Sequence, residues 1–182
     1  MRTRHILSVL LPLTVVAACD RQATTPVEAL AHDHASFALT PEIHQVVAEL
    51  RQRYARYHDL EKAQEDGWIF VGPCVSDPQL GGMGDHYSLT PDPAQVRGDG
   101  HVDLAEDPDF LVYAPQKNGK RKLAALDYTI PFELWTQPDP PELFGIPFRA
   151  NPGFGVWMFH IWLFDHNRTG IFQDFNPDVP QC

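Results

Sequence analysis

The chain has 182 residues, of which 43% are hydrophobic, 21% charged and 11% aromatic, the proportions of one domain with its own core rather than of a disordered chain or a repeat array. Its 14 basic against 24 acidic residues give a net charge of −10, and no basic run offers the phosphate-neutralising stripe that nucleic-acid binding requires. Seventeen prolines and twelve glycines predict many chain reversals and short elements.

The first segment reads as a signal peptide over residues 1–18. Arg2 and Arg4 precede thirteen mostly apolar residues, Ile6 to Ala18, a run too short to span a bilayer, which takes ~20. Val16-Ala17-Ala18-Cys19 resembles the bacterial lipobox, in which small residues admit the lipoprotein peptidase and the next cysteine is acylated. An ordinary cleavage after Ala18 uses the same small residues. The cysteine count favours lipidation: of Cys19, Cys74 and Cys182, acylation consumes the first. The other two are then free to pair as Cys74–Cys182 in an oxidising compartment. No CxxC or HxxxH spacing accompanies them to suggest zinc. The expected location is therefore exported and membrane-anchored, in the periplasm or on the outer face of the cytoplasmic membrane, with the lipid bilayer as partner through Cys19. Cleavage leaves 12 basic and 24 acidic residues, net −12, a body that an anionic bilayer does not attract. Asp20 resembles the inner-membrane retention residue of enteric lipoproteins.

Residues 19–39 are small and polar and read as the lipidated tether. His32-Asp33-His34 lies within it, where a flexible segment would bear the ordering cost of any metal. A single α+β domain is expected over 40–182. Thr40-Pro41-Glu42 is a helix start, and Ile43, Val46, Val47, Leu50, Tyr54 and Tyr57 recur at helical spacing. Asp59 caps a second short helix that stops at Gly67. Beyond it the period becomes two: Trp68–Val71 is a strand broken by Gly72-Pro73, and Gly81-Gly82-Met83-Gly84 leads into a strand at Asp85-His86-Tyr87. Residues 90–109 are an acidic loop without calcium-loop spacing, containing an Arg97-Gly98-Asp99 of the kind that arises by chance.

Phe110–Pro115 and Lys122–Ile130 flank Asn118-Gly119, a two-residue hairpin signal. Lys117 then faces Lys120, Val112 faces Ala125 and Phe110 faces Asp127, which puts Asp127 on an apolar face. Residues 131–155 read as a long irregular excursion, a lid or rim. Val156–Phe164 is apolar on both faces except at His160 and reads as a central, covered strand.

Gly81-Gly82-Met83-Gly84-Asp85-His86-Tyr87, Leu111-Val112-Tyr113, Leu123–Tyr128, Phe159–Phe164 and Asn176-Pro177 with Cys182 together resemble a family of exported bacterial proteins to which no activity is assigned. Its pattern runs through GxMGxHY, LVY, an acidic-Tyr strand, LHxWxW, NPxGxF and NPxxxC. The likeness covers residues 54–182, with Arg168 where the pattern has proline and Asp127 where it has glutamate. It implies that His86, Asp127, His160 and Cys182 belong to the pattern.

No GxSxG, phosphate loop or dinucleotide fingerprint is present. The polar groups left on apolar strands are His86, Asp127 and His160. Two histidines and a carboxylate can hold one divalent metal ion as a facial triad or an open zinc site, and the expected arrangement brings the three around a pocket rimmed by residues 131–155. In the plainer alternative each histidine is a core imidazole bonded to backbone or to Asp127. His166 is expected to be exposed. A different class is a module for a small apolar ligand, since twelve of the twenty aromatics fall in 128–175, among them Phe132, Trp135, Phe144, Phe148, Trp157, Phe159, Trp162 and Phe164. A third is a structural or interaction module with no active site. The expected architecture is α+β, an N-terminal helix pair on a curved antiparallel sheet of four to six strands, a roll or half-barrel.

Overall fold

The computed structural model describes residues 39–90 and 108–181. Cys19, the tether histidines, Arg97-Gly98-Asp99 and Cys182 lie outside them. Helix α1 (Pro41–Tyr54) begins where the capping signals put it: the Thr40 side chain accepts the Ile43 N–H at 3.4 Å, and Ile43, Val47, Leu50 and Tyr54 are its buried face. A 3-10 turn at Ala55–His58 bends the chain into α2 (Leu60–Glu65), capped by Asp59, whose carboxylate accepts the Glu61 N–H at 3.0 Å. Gly67 follows at φ +99°, the left-handed residue that stops a helix. Among the described residues no helix is long and apolar enough to cross a membrane.

The strands are β1 (Ile69–Asp77), β2 (Gly81–Ser88), β3 (Phe110–Pro115), β4 (Arg121–Pro131), β5 (Glu142–Leu143), β6 (Ile146–Pro147), β7 (Arg149–Asn151) and β8 (Val156–Ile161). Six of them form an open antiparallel sheet in the order β1-β2-β3-β4-β8-β7, while β5 and β6 pair separately. The fold is α+β, a helix pair on a dominant antiparallel sheet. Several expectations change in detail. β1 does not break at Gly72-Pro73; it continues to Asp77 through register shifts, and Pro73 falls in the gap between the Gly72–His86 and Val75–Gly84 pairs, where no ladder partner waits for an N–H. The 131–155 excursion contains three short strands, one of which, β7, extends the sheet. β8 stops at Ile161, since the Trp162 N–H turns to the Ile171 carbonyl at 2.8 Å.

The hairpin is built differently from a two-residue turn. Gln116 N–H donates to the Lys120 carbonyl and Gly119 N–H to the Gln116 carbonyl, both at 2.9 Å, with Gly119 at φ +78°, so the loop is the three residues Lys117-Asn118-Gly119. Pro115 accordingly pairs with Arg121. A bulge then leaves Ala124 unpaired between Tyr113–Leu123 and Val112–Ala125, and it restores the register that sets Phe110 opposite Asp127. The Ala124 carbonyl accepts the Phe164 and Asp165 N–H groups at 3.0 and 3.3 Å.

Each face of the sheet is covered. On the first, Tyr87, Leu111, Tyr113, Leu123, Leu126, Phe159 and Ile161 pack with the helices and with Phe148 and Phe172; each fully buried aliphatic or aromatic side chain contributes ~1.5–3 kcal/mol. The Tyr113 hydroxyl donates to the Tyr57 carbonyl at 2.7 Å and Arg51 Nε to the Leu163 carbonyl at 2.6 Å, tying the helices down. On the second face lie Phe110, Val112, Ala125 and Trp162 with Val179, and beside them Met83, Val156 and Met158 with Val75 and Phe175. From the strap of residues 171–181, Val179 and Phe175 pack on this face while Phe172 belongs to the first. Asn176 and Gly82 exchange backbone bonds at 3.0 and 3.2 Å, and a Cβ on Gly81 or Gly82 would lie 2.2 Å from the Asn176 oxygen or 2.6 Å from that of Pro180. The glycine run is therefore where the strap approaches the sheet. Asn176 is fully buried and also bonds the His166 carbonyl and the Asp178 N–H, both at 3.0 Å. His166 itself is exposed.

Candidate functional site

Strands β2, β4 and β8 bring His86, Asp127 and His160 together on the second face. Asp127 (β4) and His160 (β8) are register partners, and Asp127 is also opposite Phe110 on β3. His86, opposite Val112 on the same side, reaches over β3, its ring edge-on to Phe110 with centroids 5.5 Å apart. The carboxylate lies between the imidazoles: His86 Nε2 is 3.7 Å from Asp127 Oδ2 and His160 Nδ1 is 3.6 Å from Oδ1. Both distances exceed a hydrogen bond. Among the described residues, Asp127 Oδ1 and both nitrogens of the fully buried His160 have no hydrogen-bond partner, a costly arrangement for a buried acid and imidazole.

Burial pushes His86 down to about 4, and nearby His160 pushes the same way; Asp127, Asp85 and a bond to the Gly84 backbone only partly oppose them. The ring is neutral at pH 7. Nε2 is the ring nitrogen that faces a carboxylate oxygen.

The strap adds a carboxylate that the sequence pattern does not single out. Asp174 is buried, and burial raises its pKa against the opposing pull of Arg149; His160 and Asp127 also act on it. Arg149 Nη1 meets Asp174 Oδ2 at 2.8 Å while Nη2 donates to Gln173 at 2.6 Å. No spacing joins residues 149, 174 and 160 in the sequence; only β7 and the strap bring them near. Asp85, one residue before His86, is engaged away from the cluster, where it accepts the Cys74 N–H at 2.9 Å and pairs with Arg121. Asp109 likewise is bound to Thr129, accepting its N–H at 2.6 Å and its hydroxyl at 3.2 Å.

A cavity of about 290 Å³ opens beside the cluster. Val71, Val75, Met83, Phe110, Val156 and Met158 form apolar walls, and His86, Asp127, Thr129 and Asn151 supply polar groups. Of the 131–155 segment only Asn151 and Phe154 reach it, with Phe154 62% exposed; the expected rim comes largely from β1 instead. His160 does not line the cavity and sits behind Asp127. The aromatics singled out from the sequence are not its walls: Phe148 and Phe159 are core on the helix side, with Trp135, Phe144, Trp157 and Phe164 packed against it, and Trp162 is buried in the second face. Phe132 stacks edge-on to Trp157 at 5.3 Å. Among the described residues no group of three or more His, Cys, Asp or Glu is arranged to hold a metal ion.

Cys74 lies on β1. Its expected partner Cys182 is outside the described residues, but Gln181 Nε2 donates to the carbonyls of Asp77 and Pro78 at 3.2 and 3.0 Å, so residue 181 runs beside the strand that carries Cys74.

No family model matches the chain, and neither a curated protein nor a solved structure matches it.

Proposed function

We propose that the chain is an exported lipoprotein, held at the envelope by acylated Cys19, whose domain binds a small and largely apolar molecule in the cavity of its second face. One observation carries the binding part: an apolar-walled cavity of about 290 Å³ with an imidazole and a carboxylate at its polar end, the composition of a small-ligand site. The export part rests on Arg2, Arg4, the apolar run and Val16-Ala17-Ala18-Cys19. Cys74 and Cys182 form its disulfide in this reading, supported by the course of Gln181 beside β1.

Methionine methyl NMR tests the binding. Apart from Met1 the only methionines are Met83 and Met158, and both line the cavity. Titration with 1-hexanol shifts both signals if the cavity is a site. If neither moves with any small organic probe, the binding reading falls and an interaction module without a ligand site takes its place. For the anchor, intact mass of the mature protein shows acyl groups on Cys19; a chain starting there without added mass overturns it.

A second reading is favoured by the orphaned atoms: His86, Asp127 and His160 as ligands of one divalent metal ion. The contact of His86 with the Gly84 backbone is the outer support that ligating histidines use; the separations of 3.6 and 3.7 Å run to different oxygens of Asp127, so one ion would have to draw the two imidazoles in around both carboxylate oxygens. Elemental analysis of protein purified from its native envelope decides this reading; less than about a tenth of an equivalent of any divalent metal ends it.

A further inference from the structure

Among the described residues, the cavity is lined by the Asp127 carboxylate and by no cationic side chain. His86 Nε2 lies 3.7 Å from Asp127 Oδ2, Asp127 Oδ1, on the His160 side, has no hydrogen-bond partner, and no lysine or arginine lines the space. The nearby cations are committed elsewhere: Arg121 to Asp85, Lys122 to Asp165, Arg149 to Asp174 and Gln173. A buried carboxylate in that position lacks a donor, and a positively charged one repays most of its lost hydration. The walls decide what kind of cation. A hydrated metal ion has no use for Met83, Phe110, Val156 and Met158, whereas a carbon skeleton buries them.

Resting on the cavity reading above, we infer that the ligand is a small organic ammonium, its cationic nitrogen seated between Asp127 and His86 and its carbon body against Met83, Phe110 and Met158. A volume of about 290 Å³ sits at the small end of ligand cavities, which start near ~300 Å³.

The test titrates four probes into the protein while following the Met83 and Met158 methyl signals: hexylamine, 1-hexanol, hexanoate and zinc chloride. Hexylamine is expected to shift both signals and to bind at least ~10-fold tighter than 1-hexanol, the difference between a charge-assisted and a neutral hydrogen bond. Asp127→Asn should erase that preference while 1-hexanol binding persists. The comparison in the unmutated protein stands even if the variant does not fold. If 1-hexanol matches hexylamine, or hexanoate binds best, the ammonium assignment is overturned and the cavity reading stands. If zinc alone acts, the ammonium yields to the metal. If no probe acts, both the assignment and the cavity reading are lost.

Discussion

Asp127 and His160 face each other across the β4–β8 ladder, yet Oδ1 and Nδ1 stop 3.6 Å apart and neither atom has another partner among the described residues. Replacing such a pair with apolar groups removes a desolvation cost without sacrificing a bond. The double variant Asp127→Leu/His160→Phe should therefore raise stability by about 1–2 kcal/mol in urea denaturation. A loss of more than about 1 kcal/mol would mean that the imidazole has a partner in solution.

The pH dependence follows from His86, whose pKa falls from 6.5 to about 4 on folding. Above pH 6.5 neither the folded nor the unfolded chain takes this proton. As pH drops from 6.5 toward 4, only the unfolded chain takes it, so stability declines, by about 3 kcal/mol over the full shift, and levels off below. Asp174, raised by burial, works oppositely, since acid relieves its buried charge. Urea midpoints at pH 7 and 4.5 should differ more for the natural chain than for His86→Phe; equal pH slopes would falsify the assignment.

Gly81→Ala should destabilise the domain severely, by more than about 2 kcal/mol. Its φ is +105° and the new methyl would meet the Asn176 oxygen at 2.2 Å. Gly119→Ala, at φ +78° in open space, should cost only about 1 kcal/mol. Similar losses at both positions, measured by thermal unfolding, would show that the strap does not press on β2.

Cys182→Ser should lower stability by about 2–4 kcal/mol if the chain is cross-linked to Cys74. Non-reducing peptide mapping of the natural chain should recover the two cysteines in one linked species. Recovery of both as alkylated thiols rejects the bridge.

What was legible in the sequence depended on range. The capping residues Thr40 and Asp59 and the stop at Gly67 act within a few positions, and each marks the helix boundary it predicts. The facing of Phe110 and Asp127 was also legible, although by a route the sequence does not disclose: the three-residue turn and the Ala124 bulge each displace the register by one, in opposite senses. A bulge depends on what else needs the carbonyl, here the Phe164 and Asp165 N–H groups, and that is tertiary information. The convergence of His86, Asp127 and His160 could be argued from apolar surroundings alone. Asp174 and Arg149 could not, because a strap and a three-residue edge strand bring them in. The aromatic count misled for a related reason: density in sequence does not reveal which face of a sheet a ring takes, and the helix side took Phe148 and Phe159.

The strap also bears on the order in which the molecule is finished. The chain is extended from the N-terminus, so the residues of both helices and all eight strands are joined before those of 171–181. Until Asn176 docks on Gly82, the strap leaves part of the second face open, and the site's histidines and Asp127 can keep water around them. The dehydrated, electrostatically tense form of the site is thus a late acquisition, made when one buried asparagine closes the seam.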